Sequence, residues 1–144
     1  MSGPRAAVLY SPALLQLAVD LARYPFNISA IAIGSARSRT CGSTVELSSR
    51  SGDAIDEPGL KVAACAVGQA AAAIFAAHAQ GRTLGDCERA LDDIVGWLGG
   101  SGGLPNWPGI AALEAARDYP GRHEAIQLPW RAAIDALCKA TGGR

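Results

Sequence analysis

The sequence predicts an α+β fold: an N-terminal helix, a small three-stranded antiparallel sheet, then several helices packed on it. Three observations carry this. The hydrophobic period near the N-terminus is helical, the stretch from about Ala30 to Ala64 alternates with a period of two, and everything after Cys65 returns to a helical pattern. With 144 residues, 49% of them hydrophobic but only 6% aromatic, the chain is long enough to bury a core built mainly of Ala, Leu, Ile and Val. One domain over residues 1–144 is expected, with no internal repeat.

Ser11-Pro12 opens the first helix, with a serine N-cap and a proline at the first helical position. Leu14, Leu17, Ala18 and Leu21 make its apolar stripe, which ends near Tyr24-Pro25. Ile31 and Ile33 then share one strand face. Val45 and Leu47 share a face of the next strand, with Glu46 and Ser48 opposite. "SRSGDAIDEPG" has turn chemistry and "LKVAA" is a short third strand, so the three form a meander with one face covered. "AVGQAAAAIFAAHAQ" is a helix of small side chains stopped by Gly81, able to lie close to the sheet and to another helix. Thr83 caps the next helix, with Leu84, Cys87, Leu91, Ile94 and Leu98 on its inner face. "GGSGGLPNWPG" is a loop, "IAALEAARDY" is helical, Pro120-Gly121 breaks it, and "LPWRAAIDALCKA" forms the last helix.

Composition narrows the function classes. Thirteen basic residues balance thirteen acidic ones, so no bulk field draws the chain to nucleic acid or anionic lipid. Pro12, Gln16, Asp20 and Arg23 interrupt the early apolar residues, and no cleavage-like site follows, so no targeting segment is expected. Val62 to Gln80 is too weakly hydrophobic for a membrane span. A soluble cytoplasmic protein follows as the expectation. There, four cysteines without a CxxC are thiols, ligands or core residues rather than disulfides. No P-loop, GxGxxG or Ser-His-Asp order is present.

The cysteines differ in context. Cys87 falls on a buried stripe and Cys138 on the Trp130–Ile134–Cys138 row, and core or rim packing explains both. Cys65 stands where the third strand gives way to the Ala-rich helix. Backbone N–H groups and the positive end of the helix dipole favour a thiolate there. Cys41 lies in a Thr-Cys-Gly-Ser turn, where Gly42 permits a sharp backbone path. If strands one and two pair as a hairpin, Cys41 faces the end of strand three and two soft ligands converge; ordinary cysteines at strand ends are the alternative. His78 near a helix C-terminus reads as structural. Arg37 and Arg39 read as a solvated strand face, and Arg122-His123-Glu124 as an exposed ion pair of little worth.

"CGS" ahead of a strand, followed about two dozen residues later by "CAVGQAA" opening a helix, resembles the scaffold family of iron–sulfur cluster assembly, the IscU, NifU N-terminal and SufU type. "LYSPALLQLAVDLARYPFN", "GRTLGDCERAL" and "RHEAIQLPWRAAIDAL" resemble the family's opening helix, its Gly-Lys/Arg-Thr helix start and its third-cysteine segment with the closing helix. The resemblance runs over nearly the whole chain. It implies a scaffold, not an enzyme, holding iron, zinc or a labile [2Fe–2S] cluster through Cys41 and Cys65. Glu124 and His123 are further candidate metal ligands, and a cysteine desulfurase and cluster-recipient proteins are the implied partners.

The departures open the alternatives. The family's Asp after Cys-Gly is Ser43, its third cysteine aligns with Ala125, its Cys-x-x-Ser serine is Gly68, and the following serine is Ala71. Two cysteines supply half of the four positions that a [2Fe–2S] cluster or a closed zinc site takes. The alternatives are a metal-free module that docks to a desulfurase or another assembly partner and, with an incomplete site against it, a zinc-dependent sulfur-transfer enzyme.

Overall fold

The computed structural model describes residues 9–142; the expected 1–144 span therefore includes residues 1–8 and 143–144, which lie outside the described residues. Helix α1 is Pro12–Asp20, and the Ser11 Oγ accepts the Leu14 N–H at 3.2 Å as its cap. The chain tightens into a 3₁₀ turn at Leu21–Arg23. Tyr24 and Pro25 then run beside the third strand, where the Tyr24 carbonyl accepts the Leu60 N–H at 2.9 Å. Gly59 permits this approach, since a Cβ there would overlap the Pro25 carbonyl oxygen.

Strands β1 (Ala32–Arg37), β2 (Thr44–Ser49) and β3 (Gly59–Ala63) form an antiparallel meander in the order β1-β2-β3. Gly34 pairs with Leu47 and Leu47 with Leu60. Val45 and Leu47 face the core, as the alternation predicts. Ile31 and Ile33 do share a face, but it is the open one: Ile31 is 79% exposed, while Ala32 and Gly34 are buried. The covered face of β1 takes the small residues because a helix lies directly on it.

That helix is the last described, α4 (His123–Gly142). A Cβ on Gly34 would overlap the Ala132 carbonyl and the Ala136 backbone, so strand and helix meet main chain to main chain. The Asp135 carboxylate also accepts the Ser35 N–H at 2.9 Å, satisfying a donor of the edge strand. The sequence places the start of this helix at Leu128, but it begins five residues earlier and carries Pro129 inside it. Proline has no N–H to give the Ala125 carbonyl. The helix continues because its buried residues on both sides of the proline, Ala125, Ile126, Leu128, Trp130, Ala132 and Ala133, are locked into the core.

Helix α2 (Ala66–Ala77) is central, with Val67, Gly68 and Ala70 to Ala76 all buried. Its small side chains let it approach its neighbours: a Cβ on Gly68 would lie 3.4 Å from the Ala125 Cβ. It ends at Ala77, before the predicted stop, and Gly81 takes a positive φ of 83° in the turn beyond. Thr83 and Asp86 cap α3 (Leu84–Leu98) reciprocally, Thr83 Oγ1 accepting from the Asp86 N–H at 3.2 Å and Asp86 Oδ2 from the Thr83 N–H at 3.0 Å. The stretch Ile110–Asp118 is a 3₁₀ helix rather than an α-helix. Its buried residues Ile110, Leu113 and Ala116 recur every third position, the period of the tighter turn. Phe75, Trp107 and Trp130 close the core with ring centroids 5.4–5.5 Å apart, one pair stacked and two edge to face. No helix among the described residues is long and apolar enough to cross a membrane.

The close contact of β1 with α4 predicts that Gly34→Ala lowers stability by about 1–3 kcal/mol in denaturant unfolding. Gly103→Ala, with nothing within 4 Å of the added carbon, is expected to stay within about 0.5 kcal/mol.

Candidate functional site

Three segments meet at one end of the sheet: the β1–β2 turn, the β3–α2 junction and the start of α4. Thr44 pairs with Ala63 at the end of the β2–β3 ladder. That register sets the turn carrying Cys41 beside the residues entering α2. Cys41, Gly42, Ser43, Ala63, Ala64, Cys65 and Arg122 line one open pocket of about 220 Å³. The two cysteines that the sequence singles out thus share a pocket.

The turn is shaped by its own chemistry. Gly42 has a φ of 71°, and the Ser38 N–H donates to the Ser43 carbonyl at 2.8 Å, closing the hairpin end. The Cys41 side chain is exposed. Its Sγ lies 3.1 Å from Ser38 Oγ and 3.0 Å from Ser43 Oγ. Hydrogen bonding by the Ser38 hydroxyl, then by the Ser43 hydroxyl and backbone, holds this thiol below its ordinary pKa. Ser38 has a single hydroxyl hydrogen, however, and Glu124 Oε1 takes it at 2.8 Å. Ser43 is therefore the hydroxyl left free to donate to a Cys41 thiolate. Cys65 is the N-cap residue of α2, half-buried, with no side-chain cap bond.

Arg122 adds a fixed positive charge to the pocket wall. Its NH2 group donates to the Tyr10 hydroxyl at 3.4 Å, and its Nε is buried with no partner among the described residues. Glu124 and His123 are engaged elsewhere. Glu124 Oε1 accepts from Ser38 Oγ and the Arg39 N–H at 2.8 Å each, and from the Thr40 N–H and hydroxyl at 3.2 Å each. Its Oε2 lies 3.7 Å from an Arg131 guanidinium nitrogen. The Ser38 hydroxyl first, then the Thr40 backbone, hold this carboxyl below its usual pKa. His123 Nε2 lies 2.9 Å from the Arg117 carbonyl oxygen. Arg122, His123 and Glu124 thus turn to three different partners rather than to one another. Among the described residues no group of three or more His, Cys, Asp or Glu side chains converges to hold a metal ion.

The remaining candidates fall outside the pocket. Ala125, at the position of the family's third cysteine, is buried. Cys87 is buried in the core, where desolvation pushes its thiol up to about 12. Cys138 is exposed rather than packed: each step of four residues rotates the row by about 40°, carrying it from buried Trp130 through half-buried Ile134 to solvent. His78 is exposed at the end of α2, where its carbonyl accepts from Arg82 Nε at 2.9 Å. Arg37 and Arg39 are exposed. Ser38 and the pocket position of Arg122 escape the sequence reading. The density of hydroxyls in "SRTCGS" was the signal for the first; nothing local marked the second.

No family model matches the chain, and no curated protein matches it. Solved structures do. A nitrogen-fixing NifU-like protein (N-terminal) from Brucella abortus is 26% identical, with a TM-score of 0.84 over 97% of this chain and 99% of that one. A putative iron–sulfur cluster assembly scaffold protein for the SUF system, SufU, from the thermophile Fervidobacterium islandicum AW-1 is 21% identical, with a TM-score of 0.77 over 91% of this chain and 98% of that one. A hypothetical protein is 17% identical, with a TM-score of 0.63 over 87% of this chain and 96% of that one. The latter two show the fold alone. The resemblance read from the sequence and the predicted α+β class are both borne out.

The hydroxyl cage predicts the order of thiol reactivity. Iodoacetamide labelling followed by peptide mapping is expected to modify Cys41 with an inflection below that of a free thiol, and to leave Cys87 unmodified in the folded protein up to pH 9. Ser43→Ala is expected to move the Cys41 inflection upward, because the thiolate loses a donor while the thiol loses little.

Proposed function

We propose that this chain, which shares its fold with NifU-like and SufU proteins, is a scaffold-type carrier in iron–sulfur cluster assembly. Its cargo is iron, zinc or a labile [2Fe–2S] cluster held through Cys41 and Cys65. The observation that supports this reading is the shared pocket: two thiols 24 positions apart in sequence, brought together by strand register beside the Arg122 guanidinium. The positive charge offsets the charge of two thiolates and of an anionic cargo. Glu124 and His123 would have to give up their protein partners to ligate. The chain's own residues therefore fit half of a four-coordinate site, and the other positions fall to a small thiol, water or a partner protein. Such a site is open and gives up its cargo readily. It carries rather than catalyses. Four free cysteines suit a cytoplasmic setting, and a cysteine desulfurase and cluster recipients are the partners this role requires.

A second reading is favoured by the buried Ala125 and the engaged Glu124: a metal-free module that docks to a desulfurase or another assembly protein through the same fold.

Anaerobic reconstitution with iron and sulfide separates the two. The carrier reading expects visible sulfur-to-iron absorbance in the wild type and loss of most of it in Cys41→Ser and in Cys65→Ser. A colourless wild type free of iron and zinc by metal analysis, with desulfurase capture unchanged in the double variant, supports the docking module and sinks the carrier.

A further inference from the structure

We infer that Glu124 is a positioning residue that braces the Cys41 turn from α4, rather than a ligand of the cargo. The inference rests on the carrier reading of the pocket and assigns a role within it.

An exposed thiol on a hairpin turn is useful only if the turn holds one conformation, and backbone groups at an exposed turn have water as a competing partner. Here the competition is settled by a side chain 86 positions away. Glu124 Oε1 receives four donors from Ser38, Arg39 and Thr40. A carboxylate oxygen offers about two lone-pair directions, so this atom is saturated by the turn. The bond to Ser38 matters most. Ser38 Oγ gives its hydrogen to Glu124 and accepts from the Cys41 N–H at 3.2 Å, and it is 3.1 Å from the Cys41 Sγ. The path from helix to turn is Glu124, Ser38 and the Cys41 N–H, with every step a hydrogen bond.

A brace works only from a rigid anchor. The helix that carries Glu124 is fixed to the same strand that leads into the turn, by the main-chain approach at Gly34 and by the Asp135 bond to the Ser35 N–H. Two carboxylates of one helix thus grip one strand and the turn that follows it. Gln would keep the accepting Oε1, with bonds weakened by loss of the charge, and would lose the Arg131 pair, which lies at 3.7 Å with Arg131 41% exposed and contributes little. Ala would remove the brace.

The test uses Co(II) as the probe under anaerobic conditions, with amide hydrogen exchange on the metal-free protein. Glu124→Ala is expected to speed exchange at the Arg39 and Thr40 amides at least about tenfold and to weaken Co(II) binding about 10–100-fold, the usual cost of losing an outer partner of a ligand. Glu124→Gln, which keeps the acceptor but not the charge, should fall between the wild type and Ala in both. Ser38→Ala should weaken Co(II) on its own, and less than additively with Glu124→Ala, because the two act in series. These two variants carry the test should Glu124→Ala fail to fold. The inference is overturned if Gln costs as much affinity as Ala and changes the cobalt ligand-field bands while exchange at Arg39 and Thr40 stays at the wild-type rate, the pattern of a direct ligand. A wild type that binds no Co(II) but shows the exchange contrast would leave the brace standing and remove the carrier reading.

Discussion

The rest of the molecule depends on the absence of side chains between β1 and α4. Gly34 lets the last helix lie with its backbone against the strand, and Ala132 and Ala136 do the same from the helix side. Larger residues would lift the helix by the thickness of a side chain. Glu124 would then miss the turn, and Arg122 would leave the pocket wall. Small residues are often read as weak packing, but here they fix position: contact between two backbones leaves little room for sliding, whereas flexible side chains could adjust. The Ala-rich α2 extends the same principle, filling the space behind the sheet with a helix narrow enough to meet both α1 and α4.

The site has an uneven division of labour. One side is local: Gly42, Ser43 and the Ser38 N–H shape the turn, and these lie within a few residues of Cys41. The other side is remote, since Arg122 and Glu124 arrive from the far end of the described chain. The NifU-like neighbour from Brucella abortus covers almost the same length with 26% identity. The architecture is thus shared, while Ser43 in the pocket and Ala125, buried outside it, depart from the pattern the sequence resembles. Ser43 places a hydrogen-bonding hydroxyl beside Cys41, so the position serves the thiol without adding negative charge.

Much of the fold was legible in the sequence because its signals are local. Ser11 and Thr83 cap the helices they were assigned to, and the alternation in β2 gives the correct inner face. The pairing of Cys41 with Cys65 in one pocket followed from two local cues, a turn and a strand-to-helix junction, joined by a meander. The errors have a common cause. Ile31 and Ile33 share a face as the alternation predicts, but which face of β1 is covered is set by α4. Pro129 looks like a helix start, but packing on both sides carries the helix through it. Glu124 looks like part of an exposed charge cluster, and its partners lie 84 to 86 positions earlier. Each turns on a tertiary contact that no sequence window contains.

The bond between Glu124 and the Cys41 turn also sets an order of events during folding. The bonds from Glu124 to the turn have sequence separations of 84 to 86 positions, so closing them costs chain entropy before they return any stability. On a ribosome, β1 and β2 emerge long before α4 does. Until then the Cys41 turn lacks its Glu124 bonds, and the pocket lacks its Arg122 side. The Arg122 side of the pocket and the Glu124 bonds to the turn therefore arrive late, when the helix docks. A chain stalled before Arg122 would carry the two cysteines and the strand register that brings them together, but neither the positive charge beside them nor the carboxylate on the turn.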